Sequence, residues 1–296
     1  MKNGWDIIIL AGQSNAEGFG LGEASGEYEK DERIYCLNDD AAPHFEKVSD
    51  GTTEHDVLRL SLPAKQYICI AEEPVGAAGK VGKFALWFAK NYVAKGLLKE
   101  GRKVLVVNAA VGGTGFCRKE WGVGNVLYRR LIAMTDYALS LSLGDTGKTC
   151  EKSDNEIVAF LWHQGECDAF ENADISSETI YEKHKANLEA MFGDFSDRYA
   201  DFIAEKKKLP LVSGGFCDEW YLKNKRQCDA VLRAIQSVCR VPGSGNYAGA
   251  FVPTDGLESN NQKTGNGDDI HFCRESLHIL GDKFFDAFLA LKNHMI

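Results

Sequence analysis

The 296-residue chain carries a net charge of −9, with 44% hydrophobic and 26% charged residues, the profile of a globular protein long enough to bury a sizeable core. That acidic balance argues against a general nucleic-acid binder, because holding phosphates needs an excess of Lys and Arg. No apolar run approaches the roughly 20 residues of a membrane-spanning helix, and residues 7–10 are too few for the apolar part of a signal peptide, so no membrane partner and a cytoplasmic location are expected.

Short apolar runs alternate with longer helical patterns. Strands are predicted at residues 6–10, 103–108, 157–162, 209–213 and 248–252. Each run is apolar throughout and does not alternate, as in central strands of a parallel sheet covered on both sides. The first helix is marked by Phe84, Trp87, Phe88, Asn91 and Tyr92, with Gly101 as its expected stop. A second carries Leu188, Met191, Phe192 and Phe195, with Ser176 or Ser177 as its N-cap. A third is expected over 221–239. The last steps by three and four through Leu277, Leu280, Phe284, Phe288 and Leu291. The pattern predicts a three-layer α/β/α fold with a parallel sheet of about five strands. A single domain over 1–296 is expected, with residues 24–74 as a loop-rich rim. Nine cysteines, without a Cys-x-x-Cys pair, suit a reduced compartment. Cys69, Cys117, Cys217 and Cys239 lie in apolar stretches and read as small buried hydrophobes.

Ligands of such sheets bind beyond the carboxyl ends of the strands, and polar residues and glycines gather there. Gly12-Gln13-Ser14-Asn15 follows the first strand. Ser14 has two readings at this strand-to-helix turn: a helix N-cap, or a nucleophile whose neighbouring amides favour negative charge. The Gly-x-Ser-x-Gly elbow is not met, because the fifth residue is Ala16. After the second strand, Gly112 and Gly113 let a backbone amide approach an oxyanion, or simply form a tight turn. After the third, Gln164 offers a side-chain donor. Glu166 reads as a substrate or support residue or as a solvated carboxylate, and His163 as a contact or a packed histidine. Near the C-terminus, Asp268 and His271 stand three apart, the spacing of an orienting acid and a base, with Asp269 as a competing acid. No zinc-type spacing and no phosphate-binding glycine motif occurs; residues 76–84 come nearest to the latter and miss its spacing. No metal is therefore expected.

Four segments taken together resemble the blocks of the SGNH hydrolase superfamily, and within it the sialate O-acetylesterase and acetylxylan esterase branch. They are Gly12-Gln13-Ser14-Asn15, Ala110-Val111-Gly112-Gly113-Thr114, Trp162-His163-Gln164-Gly165-Glu166 and Asp268-Asp269-Ile270-His271. The resemblance implies a flavodoxin-like fold and a cofactor-free serine esterase that removes O-acetyl groups from an acetylated oligosaccharide or polysaccharide fragment. It implies Ser14 as nucleophile, His271 as base and Asp268 as its partner. It also implies oxyanion donors from the Ser14 amide, the Gly112 or Gly113 amide and Gln164. Gln13 and Asn15 are expected to support the turn. His163 departs from the Tyr that the branch carries most often, which bears on substrate contacts. A small acetyl group would leave specificity to the sugar, held by rim loops at 24–74 and 115–124. Two alternatives differ in class: a catalytically silent sugar-binding protein of this fold, and an esterase for non-carbohydrate esters.

Overall fold

The computed structural model describes residues 3–294 apart from 42, 50, 53, 63, 76–78, 144–153, 173, 205–207 and 241–245. The first three residues of the near-miss glycine stretch at 76–84 thus lie outside the described residues.

All five predicted strands form. Strand β1 (Trp5–Gly12) is buried along its whole length. It pairs in parallel with β6 (Lys103–Asn108) on one side and β7 (Glu156–His163) on the other. Beyond β7 lie β8 (Leu209–Gly214) and β9 (Tyr247–Val252), also parallel. Among themselves these five run in the order second, first, third, fourth, fifth, the order of flavodoxin-like sheets.

The sheet nevertheless has seven strands, not about five. The two others come from the stretch expected to be a loop-rich rim. Strand β2 (Ile34–Asp39) pairs in parallel with β6, and β5 (Gln66–Ile70) closes that edge antiparallel to β2. Both mix polar and apolar residues, because the sheet margin is only partly covered. They therefore lack the continuous apolar run that marks a central strand. The same stretch also makes a separate antiparallel hairpin, β3 (His44–Ser49) with β4 (Glu54–Arg59).

Helices cover both faces. Alternation along β1 divides its side chains: Ile7 and Ile9 enter one apolar cluster, Ile8 and Leu10 the other. The first cluster is completed by α3 (Val126–Ser140), α5 (Ser177–Arg198) and α7 (Lys225–Arg240), through residues such as Leu131, Phe195 and Ile235. The second is completed by α2 (Phe84–Ala94) and α9 (Arg274–His294), through Phe88, Leu280 and Phe284. Each buried aliphatic or aromatic side chain contributes roughly 1.5–3 kcal/mol relative to exposure.

Local details differ from expectation in three places. Helix α2 ends near Gly96, which takes a φ of +75°, and Gly101 belongs to the turn before β6. The helix expected over 221–239 is two, α6 (Asp218–Lys223) and α7, broken at Asn224. Cys217 and Cys239 are buried as expected, but Cys69 and Cys117 are exposed. Cys69 lies on edge strand β5, where strand alternation turns it outward despite its apolar neighbours. The cap of α5 is Ser176, whose hydroxyl accepts the Thr179 N–H at 3.2 Å.

Candidate active site

The site begins with a glycine. Gly12 ends β1 with a φ of +131°, and a Cβ there would meet the His163 carbonyl oxygen at 2.0 Å. Only glycine lets β1 turn this tightly against the end of β7. The turn delivers Ser14 as the first residue of a one-turn helix, α1 (Ser14–Glu17). Gln13, not Ser14, is the N-cap residue, and no side chain caps the helix. The Ser14 hydroxyl instead stands 2.9 Å from His271 Nε2. The capping role weighed for Ser14 is therefore not the one its side chain fills.

His271 lies in the loop before α9. Its Nδ1 is 2.8 and 2.9 Å from the two Asp268 carboxylate oxygens, and its backbone N–H donates to the same group at 3.3 Å. Asp269 points elsewhere, pairing with Lys223 at 2.6 Å. Asp268 also accepts a hydrogen bond from Asn260 Nδ2 at 2.9 Å and has Lys80 Nζ at 3.8 Å. Burial alone would raise the Asp268 pKa, but the hydrogen bonds from His271 and Asn260 and the imidazole charge outweigh it. The carboxyl titrates at about 2 instead of 3.8. Phe19 stacks on the imidazole, with ring centroids 5.0 Å apart and planes inclined by 25°. An ionised acceptor on Nδ1 leaves Nε2 unprotonated towards the serine, the arrangement a general base needs.

The two halves of this arrangement are 257 residues apart in sequence, and Asn15 joins them. Its Oδ1 accepts the Phe272 N–H at 3.0 Å, and its Nδ2 donates to the Ile270 carbonyl at 3.2 Å and to Glu166 Oε1 at 2.9 Å. Gln13 braces the other side, its Oε1 accepting from the Cys167 N–H at 3.2 Å and from Gln164 Nε2 at 3.3 Å. Both amides flanking Ser14 thus bind across the turn to the neighbouring segments.

The expected oxyanion donors fare differently. Among the described residues, the Ser14 and Gly113 amides have no intramolecular acceptor, and both residues line the cavity above the serine. Gly113 takes a φ of +70°. The Gly112 N–H is occupied by Glu17 Oε2 at 2.7 Å. Gln164 is a correction. It is buried, and its amide hydrogens are directed at Asp168 Oδ2 (2.5 Å), the Thr114 carbonyl (3.2 Å) and Gln13. Asp168 holds the amide nitrogen beneath the loops and turns it away from the cavity.

Glu166 and His163 are both wholly buried. Glu166 borders the cavity, and its Oε2 has no partner among the described residues. His163 faces the Gly215 carbonyl through Nε2 at 2.8 Å and packs edge-on against Phe84 and Phe272. It is a packed histidine outside the cavity lining. Among the described residues no group of three His, Cys, Asp or Glu side chains is placed to hold a metal ion.

The cavity over Ser14 and His271 has a volume of about 740 Å³, several times what an acetyl group fills. Phe45 and Asp56 from the β3–β4 hairpin and Arg118 from the loop after β6 border it. Three residues that sequence reasoning did not single out shape it. Asn260 orients Asp268, Glu17 occupies the Gly112 amide, and Lys83 presents a cation to the same space. Glu17 had one visible signal: it stands three residues after Ser14, on the same face of a helical turn.

Residues 4–290 match the family described as "Carbohydrate esterase, sialic acid-specific acetylesterase". The chain belongs to that family. No curated protein sequence matches the chain. Among solved structures, NanS is 18% identical, with a TM-score of 0.65 over 99% of each chain. A protein from Arabidopsis thaliana is 20% identical, with a TM-score of 0.62 over 97% of this chain and 98% of that one. A carbohydrate acetylesterase from Xanthomonas citri is 15% identical, with a TM-score of 0.52 over 98% of this chain and 56% of that one. At such identities the likeness is one of fold.

Proposed function

We propose that this carbohydrate esterase removes O-acetyl groups from sugars through an acetyl-serine intermediate on Ser14. The observation that carries the proposal is the chain of contacts from Ser14 Oγ to His271 Nε2 and from His271 Nδ1 to Asp268, open to a large cavity. His271 takes the hydroxyl proton as Ser14 Oγ attacks the acetyl carbonyl carbon. Negative charge then develops on the carbonyl oxygen, opposite the Ser14 and Gly113 amides. A single such donor is typically worth about 3 kcal/mol of transition-state stabilisation. Because α1 is a single turn, these individual amides, and not a helix macrodipole, supply the field. The C–O bond to the sugar breaks, and the sugar oxygen takes its proton from the imidazolium. Water, deprotonated in turn by His271, attacks the acetyl-serine and frees acetate. Asp268 keeps the imidazole in the required tautomer throughout. None of these steps calls for a cofactor.

The cavity wall supports a hydroxyl-rich leaving group over a lipid, since Glu17, Asp39, Asp56, Asn108 and Glu171 all border it. Family membership supports acetylated sugars as the class. Acetylated xylan and O-acetylated sialic acid are the two substrates to compare. Acetate release should be measured from each, with wild type and Ser14→Ala. The proposal expects release by wild type and a loss of roughly 10³-fold or more in the variant. Equal rates for the two proteins would remove Ser14 from the mechanism. Binding of acetylated oligosaccharide without acetate release would favour the silent sugar-binding alternative.

A further inference from the structure

Three features of the cavity lack a role in the chemistry above, and they lie together. The first is the 2.7 Å hydrogen bond from the Gly112 amide to Glu17 Oε2. Gly112 packs directly over the nucleophile, since a Cβ there would lie 3.5 Å from Ser14 Cβ and 3.0 Å from Glu17 Oε2. The second is Lys83, 9% exposed and bordering the same cavity. Among the described residues its ammonium has no hydrogen-bond or carboxylate partner. The third is that the two other cations bordering the cavity are already paired. Arg130 binds Asp39 at 2.8 and 3.1 Å, and Arg118 contacts Glu171.

A carboxylate cannot share an amide with an oxyanion. The two negative charges would stand within contact distance in a partly desolvated space, where repulsion is weakly screened. An unpaired ammonium on a side chain nine-tenths buried is likewise costly unless an anion joins it. Burial lowers the Lys83 pKa, whereas Glu17 is the carboxylate whose charge favours its ammonium form. Cys36 and Cys69, the other groups acting in that sense, are held neutral, the Cys36 thiol pushed up to about 12 by burial and the Cys69 thiol also raised by desolvation.

We propose that Glu17 is a displaceable occupant of the oxyanion site, and that Lys83 receives its carboxylate when an acyl group binds. The inference rests on the serine-esterase reading and adds to it a positioning pair. With Glu17 on Gly112, the free site holds its own anion. With Glu17 on Lys83, the Gly112 amide joins those of Ser14 and Gly113, and the carboxylate and the ammonium are matched. Glu17 is tethered to the nucleophile by the single turn of α1, and its neighbour Gly18 packs on Lys83, since a Cβ there would lie 3.3 Å from Lys83 Cγ.

Methylboronic acid provides the test. Ser14 Oγ adds to boron, the hydroxyl proton passes to His271, and boron becomes a tetrahedral anion with one oxygen at the oxyanion position. Its inhibition constant should be measured for wild type, Glu17→Gln, Glu17→Ala, Lys83→Met and the Glu17→Ala/Lys83→Met double variant, with melting temperatures as the check on folding. Removing the occupying charge should tighten boronate binding by about tenfold or more in both Glu17 variants, with KM for p-nitrophenyl acetate little changed. Lys83→Met should weaken boronate binding in the wild-type background and have little effect in the Glu17→Ala background. If Glu17 merely props the Gly112 loop, Glu17→Gln will match wild type and Glu17→Ala will bind boronate more weakly, which overturns the inference. Equal effects of Lys83→Met in both backgrounds overturn the part given to Lys83. Ser14-dependent hydrolysis accompanied by either of these results leaves the serine reading standing. A wild type with neither Ser14-dependent hydrolysis nor boronate inhibition sinks both.

Discussion

Asp268 holds the imidazole by two near-equal contacts, and against its burial it is His271 first, and Asn260 second, that keep it ionised. Asn260 donates to it, and Lys80 lies nearby. With a folded pKa of about 2 against 3.8, the unfolded chain binds the extra proton between those values, so stability there rises with pH. The contribution of Asp268 is therefore fully present above about pH 4 and is lost as pH falls through about 2. Urea unfolding of wild type and Asp268→Asn should show a stability gap that is present at about pH 5 and closes as pH falls from about 4 towards 2. A gap that instead widened in acid would contradict the assigned ionisation. The same variant should lose roughly 10³- to 10⁴-fold in kcat, since an amide favours the wrong imidazole tautomer. Ser14, His271 and Asp268 were legible in the sequence as residues that only make chemical sense jointly. The choice between Asp268 and Asp269 was not, because it depends on which carboxylate the loop turns inward. Gln164 was misjudged for a related reason. Its spacing puts it at the right strand end, but Asp168, four residues on, claims its amide.

At the scale of elements, the central strands were legible because burial on both faces demands apolar residues without alternation. The margins were not, since β2 and β5 are covered incompletely and admit polar residues. The β3–β4 hairpin is the extreme case: most of its residues are exposed, so hydrophobic pattern says little about it. Its contribution is one of position. Phe45, 39% exposed, and Asp56 border the same cavity as Ser14, from a separate hairpin. An aromatic face in such a place offers a platform for a sugar ring. Phe45→Ala should therefore raise KM for an acetylated oligosaccharide by about fivefold or more while leaving hydrolysis of p-nitrophenyl acetate nearly unchanged. Equal losses on both substrates would show that the hairpin serves the catalytic residues and not the leaving group.

Across the whole molecule, β1 occupies the position where the chain's excursions to either side of the sheet meet. Strands β6, β2 and β5 build outward on one side, and β7, β8 and β9 on the other. A loop that follows β1 therefore faces loops from both halves, which is why such switch points hold ligands. Ser14 comes from β1, Gly112 and Gly113 from the end of β6, Gln164 and Glu166 from the end of β7, and His271 from the segment after β9. Asn15 and Gln13 then convert that convergence into fixed geometry. The central claim is that this convergence makes Ser14 a nucleophile that depends on His271. A fluorophosphonate that forms a stable phosphonyl ester with an activated serine tests it most directly. The labelled residue is located by peptide mass spectrometry, and the labelling rate is compared in wild type and His271→Ala. The account predicts one label, on Ser14, formed far more slowly in the variant. An unlabelled Ser14 in protein that releases acetate, or a rate indifferent to His271, would contradict it.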